Sequence, residues 1–268
     1  MNHCFFNGAI SAYEDCTLQI SDLLIQRGYG EFDFFRVRNG AIPWLDDYTD
    51  RLFNSISLSE IESFISRDEF QAVLTELMEK NGSQDSAFKV IVTGGPSADL
   101  AHPAGSPAFV VLHVPWKPHP ENSYRKGVNL ISDRYVRPNP EIKTLFYFNN
   151  LRLQKKMKQM DAVDVLYHTD IISETSRSNL FFVKKDSVFT PVSNLLKGIT
   201  RKQVLKIYRE ITLKDVEFRR IFEMDEVFMS STSRDITPVI SVDGRRIGKG
   251  IPGPFTREVQ AAFRERGW

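Results

Sequence analysis

The sequence predicts a two-domain α+β protein, with a smaller N-terminal α/β domain and a larger, barrel-like C-terminal domain. The length of 268 residues suits two domains of ordinary size. Hydrophobic residues make up 41% and charged residues 26% of the chain, which is the balance of a globular protein with a buried core. The proline-rich segment 115–120 can continue neither a helix nor a strand. We therefore expect domains at residues 1–116 and 123–268, joined by a linker at 117–122.

The N-terminal part reads as strands and hairpins followed by helices. Asn7-Gly8 and Asn39-Gly40 are strong signals for type I′ turns. Ser66 followed by Glu69 is a capping box that predicts a helix start. The expected elements are a strand over 31–38, helices over 45–56 and from Ser66 to Asn81, and strands over 88–93 and 108–114.

The C-terminal part is rich in short strands, with few helices between them. This pattern favours a barrel-like sheet over a doubly wound one. The expected strands cover 128–132, 163–168, 180–183, 187–189, 215–218, 227–230 and 239–242, and the expected helices cover 146–160, 200–211 and 255–264.

Composition excludes several classes of function. The formal net charge is +1, so no overall field favours nucleic acid or an anionic membrane. The first twenty residues lack the apolar core of a signal peptide, and no apolar run is long enough to span a bilayer. Two cysteines, Cys4 and Cys16, indicate a reducing cytoplasm, and the five histidines show no metal-ligand spacing. We therefore expect a cytoplasmic protein without a metal site, nucleic-acid partner or membrane segment.

One stretch combines three chemical features. It holds a lysine at Lys143, a carboxylate at Glu174 within a polar run, and a helix start at Gly198-Ile199-Thr200. A lysine, a carboxylate and an anion-binding helix N-terminus are what a protein needs to hold pyridoxal phosphate. Taken singly, each has an ordinary explanation: a surface lysine, a solvated strand residue and a helix cap.

Their order resembles the class IV pyridoxal-phosphate-dependent aminotransferases, which have fold type IV. The resemblance lies in Ser173-Glu174, in Ser178-Asn179-Leu180-Phe181-Phe182-Val183 and in Thr190-Pro191 followed by Leu196-Lys197-Gly198-Ile199-Thr200-Arg201. It extends upstream to Gly40 with Asp50-Arg51-Leu52, and downstream to Phe228-Met229-Ser230-Ser231-Thr232 with Ile236-Thr237-Pro238. The family includes branched-chain aminotransferases, D-amino-acid aminotransferases and aminodeoxychorismate lyases. It implies a small α/β sandwich domain, a larger pseudo-barrel domain that carries the cofactor lysine, and a homodimer.

The resemblance also implies roles for individual residues. Lys143 would form the internal aldimine with pyridoxal 5′-phosphate and afterwards move a proton at the substrate Cα. Glu174 would face the pyridine nitrogen and keep it protonated. Arg51 would bind the phosphate through its guanidinium. The remaining cofactor-binding positions implied by the motifs are Ser178, Asn179, Leu196, Gly198, Ile199, Thr200, Ser231 and Thr232.

Departures from the family bear on the substrate. Branched-chain enzymes carry a tyrosine five residues after the lysine, where this chain has Phe148 beside Tyr147, so the contact to the cofactor's phenolic oxygen stays open. D-amino-acid enzymes place a tyrosine at the position we align with Phe32. The substrate carboxylate needs cations or N–H donors. Our candidate substrate-binding residues are Arg27 beside the Gly28-Tyr29-Gly30 bend, Tyr29, Phe32 and, more weakly, Lys89.

Three functions are compared. The first is an aminotransferase that moves an amino group between an amino acid, either a D-amino acid or a branched-chain L-amino acid, and a 2-oxo acid such as 2-oxoglutarate. The second is an aminodeoxychorismate lyase that releases pyruvate and 4-aminobenzoate. The third, a binding module that has lost catalysis, predicts a missing lysine or acid, whereas Lys143 and Glu174 are both present. We favour the aminotransferase, and leave the handedness of its substrate open.

Overall fold

A five-stranded antiparallel sheet forms the frame of the first of two compact units, which comprises Met1–Lys117 and Ile142–Phe146. The structure is a computed structural model that describes residues 2–82 and 85–266. The strands lie in the order β2-β1-β5-β4-β3. They are β1 (His3–Phe6), β2 (Ala9–Ala12), β3 (Gly30–Val37), β4 (Ser86–Thr93) and β5 (Phe109–Pro115).

Turn chemistry closes the first hairpin as the sequence predicts. Asn7 and Gly8 have φ values of 48° and 98°, and they join strands whose last pair is Phe6 and Ala9. Two consecutive positive φ values are the mark of a type I′ turn, which asparagine and glycine adopt most readily. The prediction for Asn7-Gly8 is therefore confirmed.

Helices pack on the face of this sheet that carries Phe35. The Phe35 ring centroid lies 5.2 Å from that of Tyr48 and 6.4 Å from that of Phe70. Ser66 and Glu69 form the predicted capping box at the start of a helix, since each side chain accepts from the other's backbone N–H. The helices of this unit are α1 (Leu23–Arg27), α2 (Leu45–Leu58) and α3 (Arg67–Asn81), preceded by a 3₁₀ turn at Tyr13–Asp15.

The segment that carries Lys143 groups with this first unit, whereas the sequence analysis places it in the second domain. The N–H of Phe32 donates to the Lys143 carbonyl at 2.9 Å, and the N–H of Leu145 donates to the Gly30 carbonyl at 3.0 Å. Because β3 is the edge strand, its outer side has unpaired backbone groups that this segment satisfies. Backbone pairing therefore fixes the lysine opposite Phe32.

A nine-stranded mixed sheet forms the second unit, which comprises Pro118–Glu141 and Tyr147–Trp268. The strand order is β11-β10-β9-β12-β13-β6-β7-β8, and β14 pairs with β13. The strands are β6 (Val128–Arg134), β7 (Ala162–His168), β8 (Ile172–Thr175), β9 (Asn179–Lys184), β10 (Ser187–Thr190), β11 (Thr212–Leu213), β12 (Glu226–Ser231), β13 (Asp235–Val242) and β14 (Arg245–Arg246).

The connection between β8 and β9 requires this sheet to curl. β8 is the last strand of the order and β9 is the third, yet a turn closed by the N–H of Thr175 on the Ser178 carbonyl at 2.8 Å joins them. A flat sheet would hold these strands five positions apart, about 24 Å at the usual strand spacing. The barrel-like sheet predicted for this half is confirmed.

Two local predictions in this unit are wrong. The helix expected over 146–160 is two helices, because Leu153 is buried and its N–H bonds the carbonyl of Asn150, three residues back. The strand expected over 215–218 does not form: Val216 and Phe218 make single backbone hydrogen bonds to Ile172 and Asp170 rather than a ladder.

The helices of the second unit are α4 (Glu121–Lys126), α5 (Phe148–Arg152), α6 (Gln154–Gln159), α7 (Ile199–Ile207) and α8 (Pro254–Glu265), with a 3₁₀ helix at Phe218–Glu223. Within residues 2–82 and 85–266, no helix combines the length and apolar character needed to cross a membrane.

Candidate active site

Lys143 and Lys89 share one aromatic ring in the first unit. The Lys143 Nζ lies 4.5 Å and the Lys89 Nζ 5.5 Å from the centroid of the Phe32 ring. Lys89 is half-buried on β4, and burial lowers its pKa. No ion pair of the described residues includes Lys89, so this ammonium group is suited to an anionic ligand. The structure thus brings together three of the candidate residues.

Arg51 forms an ion pair with Asp33, a residue outside the sequence motifs. Its Nε and NH2 donate to the two carboxylate oxygens of Asp33 at 2.8 and 2.5 Å, and Asp33 is fully buried. The guanidinium also lies 5.3 Å from the Tyr48 ring centroid. A bidentate pair of this kind fixes the plane of the guanidinium. Phosphate binding by Arg51 remains a prediction.

Arg27 and Tyr29 lie at the α1 end of the first unit. The Arg27 side chain is exposed, and its NH1 donates to the neighbouring Gln26 carbonyl at 3.3 Å, which fits the ordinary reading of a surface arginine at a turn. The Tyr29 hydroxyl donates to the Ser59 carbonyl at 2.6 Å. Burial raises the pKa of Tyr29, and the carboxylates of Glu31 and Glu60 raise it further.

Glu174 is buried on β8 of the second unit and has a partner on each oxygen. Arg137 Nε donates to Oε1 at 2.9 Å, and the N–H of Leu196 donates to Oε2 at 2.9 Å. The Arg137 NH2 also donates to the Pro140 carbonyl. An ion pair and a backbone hydrogen bond therefore hold this carboxylate in one orientation.

Asn179 clamps the loop that leads into α7. Its Nδ2 donates to the Leu196 carbonyl at 2.8 Å, and its Oδ1 accepts from the N–H of Gly198 at 3.1 Å. A Cβ at Gly198 would lie 2.1 Å from that Oδ1, so the clamp requires glycine. Ile199 and Thr200 follow as the first residues of α7, where backbone N–H groups have no partner within the helix. Such N–H groups suit an anion, and we call the loop at 196–198 together with the start of α7 the cup.

Two buried hydroxyl groups border this cup. The Oγ atoms of Ser178 and Ser230 are buried and have no hydrogen-bond partner among the described residues. Ser230 pairs with Asn179 across β12 and β9. Ser231, the next residue, accepts from the N–H of Arg234 at 3.2 Å, which closes the turn that contains Thr232. Polar atoms of this kind fit a ligand rich in oxygen.

Tyr147, rather than Phe148, belongs to this environment. Phe148 is 66% exposed. Burial raises the pKa of Tyr147 to about 12, Glu174 raises it and Arg137 lowers it. Tyr147, one position before the family's tyrosine position, therefore interacts electrostatically with Glu174 and Arg137.

Two residues of these clusters lie outside the sequence motifs: Arg137 and Asp33. A sequence signal for Asp33 exists, since Glu31 and Asp33 fall on the same face of β3 as the buried residues Phe35 and Val37. Arg137 lies in a loop before Pro138, where no periodicity indicates a side-chain direction. Among the described residues, no cluster of three or more histidine, cysteine or acidic side chains could hold a metal ion.

Comparison with known proteins matches most of the chain to one family. The family model described as amino-transferase class IV matches residues 30–242. A D-alanine aminotransferase of Bacillus licheniformis is 32% identical over 271 residues, which cover 96% of this chain and 94% of that protein.

Solved structures share the fold. The branched-chain amino acid aminotransferase of Escherichia coli matches with a TM-score of 0.91 and 25% identity, over 98% of this chain and 94% of that one. The T.th. branched-chain amino acid aminotransferase, solved with N-(5′-phosphopyridoxyl)-L-glutamate, matches with a TM-score of 0.90 and 24% identity, over 98% and 93% of the two chains. The fold type IV architecture expected from the sequence is confirmed.

Proposed function

Because the chain belongs to the class IV aminotransferase family, we propose that it binds pyridoxal 5′-phosphate and moves an amino group between an amino acid and a 2-oxo acid. The family consists of enzymes that depend on this cofactor. Lys143 is the proposed attachment residue, and 2-oxoglutarate is the proposed acceptor.

The observation that carries the proposal is the arrangement of Glu174, Asn179 and the start of α7. Arg137 fixes the Glu174 carboxylate, and Leu196 connects this carboxylate to Asn179. The Leu196 N–H donates to Glu174, and the Leu196 carbonyl accepts from the Asn179 amide. The donors at the helix start suit a phosphate, and the carboxylate suits a protonated ring nitrogen. The residues present therefore fit the cofactor.

The chain's own groups divide the work. When bound, pyridoxal phosphate supplies a ring that takes up electrons from the substrate. Lys143 would move a proton between the substrate Cα and the bound cofactor, which requires its neutral amine. Glu174 would stabilise a proton on the pyridine nitrogen of the cofactor. The resemblance assigns phosphate binding to Arg51, to the N–H groups of Ile199 and Thr200, and to the hydroxyl groups of Ser231 and Thr232.

We place D-amino acids first among the donors and branched-chain L-amino acids second. The D-alanine aminotransferase relative supports the first, and the Escherichia coli structure supports the second. Lys89 gives a cation for a substrate carboxylate on the same ring as Lys143. Arg27, which is exposed, supports substrate binding less well than Lys89 does.

A donor screen tests the function. The purified protein with pyridoxal phosphate is incubated with 2-oxoglutarate and, separately, D- and L-alanine, D- and L-leucine, and aminodeoxychorismate. The proposal expects glutamate to form from at least one amino acid, and Lys143→Ala to abolish it. Release of pyruvate and 4-aminobenzoate from aminodeoxychorismate without an acceptor would overturn it in favour of the lyase.

We also propose a homodimer, which the family resemblance supports. Light scattering of the purified protein after size exclusion tests this assembly. A mass of about twice the 30.8 kDa chain is expected, and a monomer at micromolar concentration would contradict it.

A further inference from the structure

Asp164 is a fully buried carboxylate to which the roles above assign nothing. It lies on β7, with none of its surface exposed. Its Oδ1 accepts from Ser176 Oγ at 2.5 Å and from the N–H of Val165 at 2.8 Å, and its Oδ2 accepts from Thr175 Oγ1 at 3.0 Å. The two hydroxyls belong to the residues that directly follow Glu174.

Thr175 connects Asp164 to the turn between β8 and β9 by hydrogen bonds. Its Oγ1 accepts from the N–H of Ser178 at 2.9 Å and from the N–H of Arg177 at 3.3 Å. Glu174 precedes this turn and Asn179 follows it, so the carboxylate and the loop clamp are attached to its two ends. Asp164 thereby holds a turn whose position determines where Glu174 and Asn179 lie.

The same region of β7 holds a second turn. Arg177 NH2 and Arg234 NH2 each donate to the Val163 carbonyl at 3.3 Å. Arg234 also closes the turn that contains Ser231. The Arg177 Nε lies 4.0 Å from Asp164 Oδ2, so a guanidinium offsets part of the buried negative charge. Two segments proposed to bind the cofactor are thus tied to two consecutive residues of one strand.

We propose that Asp164 is a positioning residue for cofactor binding, acting through Thr175 on Glu174 and Asn179. This inference rests on the proposed function. Asp164 itself contacts neither substrate nor cofactor in this account. The simpler alternative is a satisfied buried acid that stabilises the sheet, and this alternative predicts lower stability with unchanged cofactor affinity.

Thr175 offers the sharpest test, because valine has its shape without its hydroxyl. Thr175→Val removes the bond to Asp164 and the acceptor for two backbone N–H groups, whereas Thr175→Ser keeps the hydroxyl. Thr256→Val is the matched control: Thr256 is fully buried in the same unit, and its Oγ1 donates to the Glu226 carboxylate at 2.7 Å, at the start of α8. The full-length proteins are titrated with pyridoxal phosphate to obtain Kd, and their melting temperatures are measured without it.

We expect Thr175→Val to raise the Kd about tenfold or more, with Thr175→Ser staying within about threefold of the wild type. Thr256→Val should lower the melting temperature comparably and leave the Kd unchanged. If Thr175→Val lowers the melting temperature but keeps the wild-type Kd, the positioning role is rejected. If the wild type itself binds no pyridoxal phosphate, the proposed function fails, which is a distinguishable result. Asp164→Asn, which keeps the side-chain shape, should weaken cofactor binding in the same direction, and an unchanged Kd would also reject the role.

Discussion

Arg137 Nε donates to Glu174 Oε1 at 2.9 Å, and the N–H of Leu196 donates to Glu174 Oε2 at the same distance. The pair is buried, with side chains 11% and 6% exposed. The carboxylate that the proposed chemistry needs is therefore oriented from two sides. One side is a charged group and the other is the loop that leads into α7.

Replacing Glu174 by glutamine should separate binding from turnover. The amide keeps the size of the side chain but cannot stabilise a protonated ring nitrogen as a carboxylate does. We expect cofactor binding to persist and kcat to fall by at least about 100-fold, measured with the best donor and 2-oxoglutarate. Glu226→Gln is the control, because Glu226 is a buried carboxylate on β12 that accepts from the backbone at the start of α8. This variant should keep the wild-type kcat. Equal kcat values for Glu174→Gln and the wild type would reject the role.

Asn179→Ala should weaken cofactor binding. It removes two hydrogen bonds that hold Leu196 and Gly198, so the cup before α7 loses its clamp. We expect the Kd of pyridoxal phosphate to rise about 10- to 100-fold. Asn129→Ala is the control, because the Asn129 amide also makes two hydrogen bonds in this unit, with Asp161 and Ser241. A Kd that changes equally in the two variants would show that the clamp has no particular part in binding.

Lys89→Met should change substrate preference. The half-buried ammonium on the Phe32 ring is placed to bind a carboxylate, and methionine keeps the apolar stem without the charge. We expect kcat/KM for 2-oxoglutarate, which has a second carboxylate on its side chain, to fall about tenfold or more relative to that for pyruvate, whose side chain is uncharged. Lys214→Met, whose Nζ lies 5.5 Å from the centroid of the Phe189 ring, should change neither value. A uniform loss across both acceptors would argue against recognition of the side-chain carboxylate by Lys89.

Glu31 should make stability depend on pH in the acid to neutral range. Burial raises its pKa from 4.5 to about 7, although a hydrogen bond from Ser59 acts in the opposite direction. The folded protein keeps the proton to a higher pH than the unfolded chain, so unfolding releases it and stability falls as pH rises from about 4.5 to about 7. Glu31→Gln should therefore gain roughly 1–3 kcal/mol of unfolding free energy over the wild type at pH 8, and much less at pH 4.5. Chemical unfolding at both pH values measures this, with exposed Glu79→Gln as the control. A variant that is less stable than the wild type at pH 8 would contradict the assignment.

Local sequence signals predicted the parts of the fold that local chemistry decides. Asn7-Gly8 adopts the positive φ values of its turn, and Ser66 with Glu69 caps α3, because these preferences act within a few residues. The strand-rich composition of the second half predicted its curled sheet. The expected strand over 215–218 failed because strand formation depends on a neighbour that composition does not show.

The order of the motifs predicted which residues lie at the cup, but not the residues that hold them in place by hydrogen bonds. Glu174, Asn179 and Gly198, which the resemblance assigns to one cofactor, are connected by hydrogen bonds through the 196–198 loop. Arg137 and Asp164 act across the sheet, and their partners are decided by tertiary pairing. The grouping of Lys143 with the first unit follows from the edge of β3, which no stretch of sequence around the lysine reveals.

Borohydride reduction of the protein with pyridoxal phosphate, followed by peptide mapping, tests the proposed attachment of the cofactor to Lys143. Reduction makes the link between a lysine amine and the cofactor permanent, so the labelled residue is identified by mass. We predict label on the peptide containing Lys143, and none on that site in Lys143→Ala. Label on another lysine such as Lys89, or no stoichiometric label at all, would contradict it.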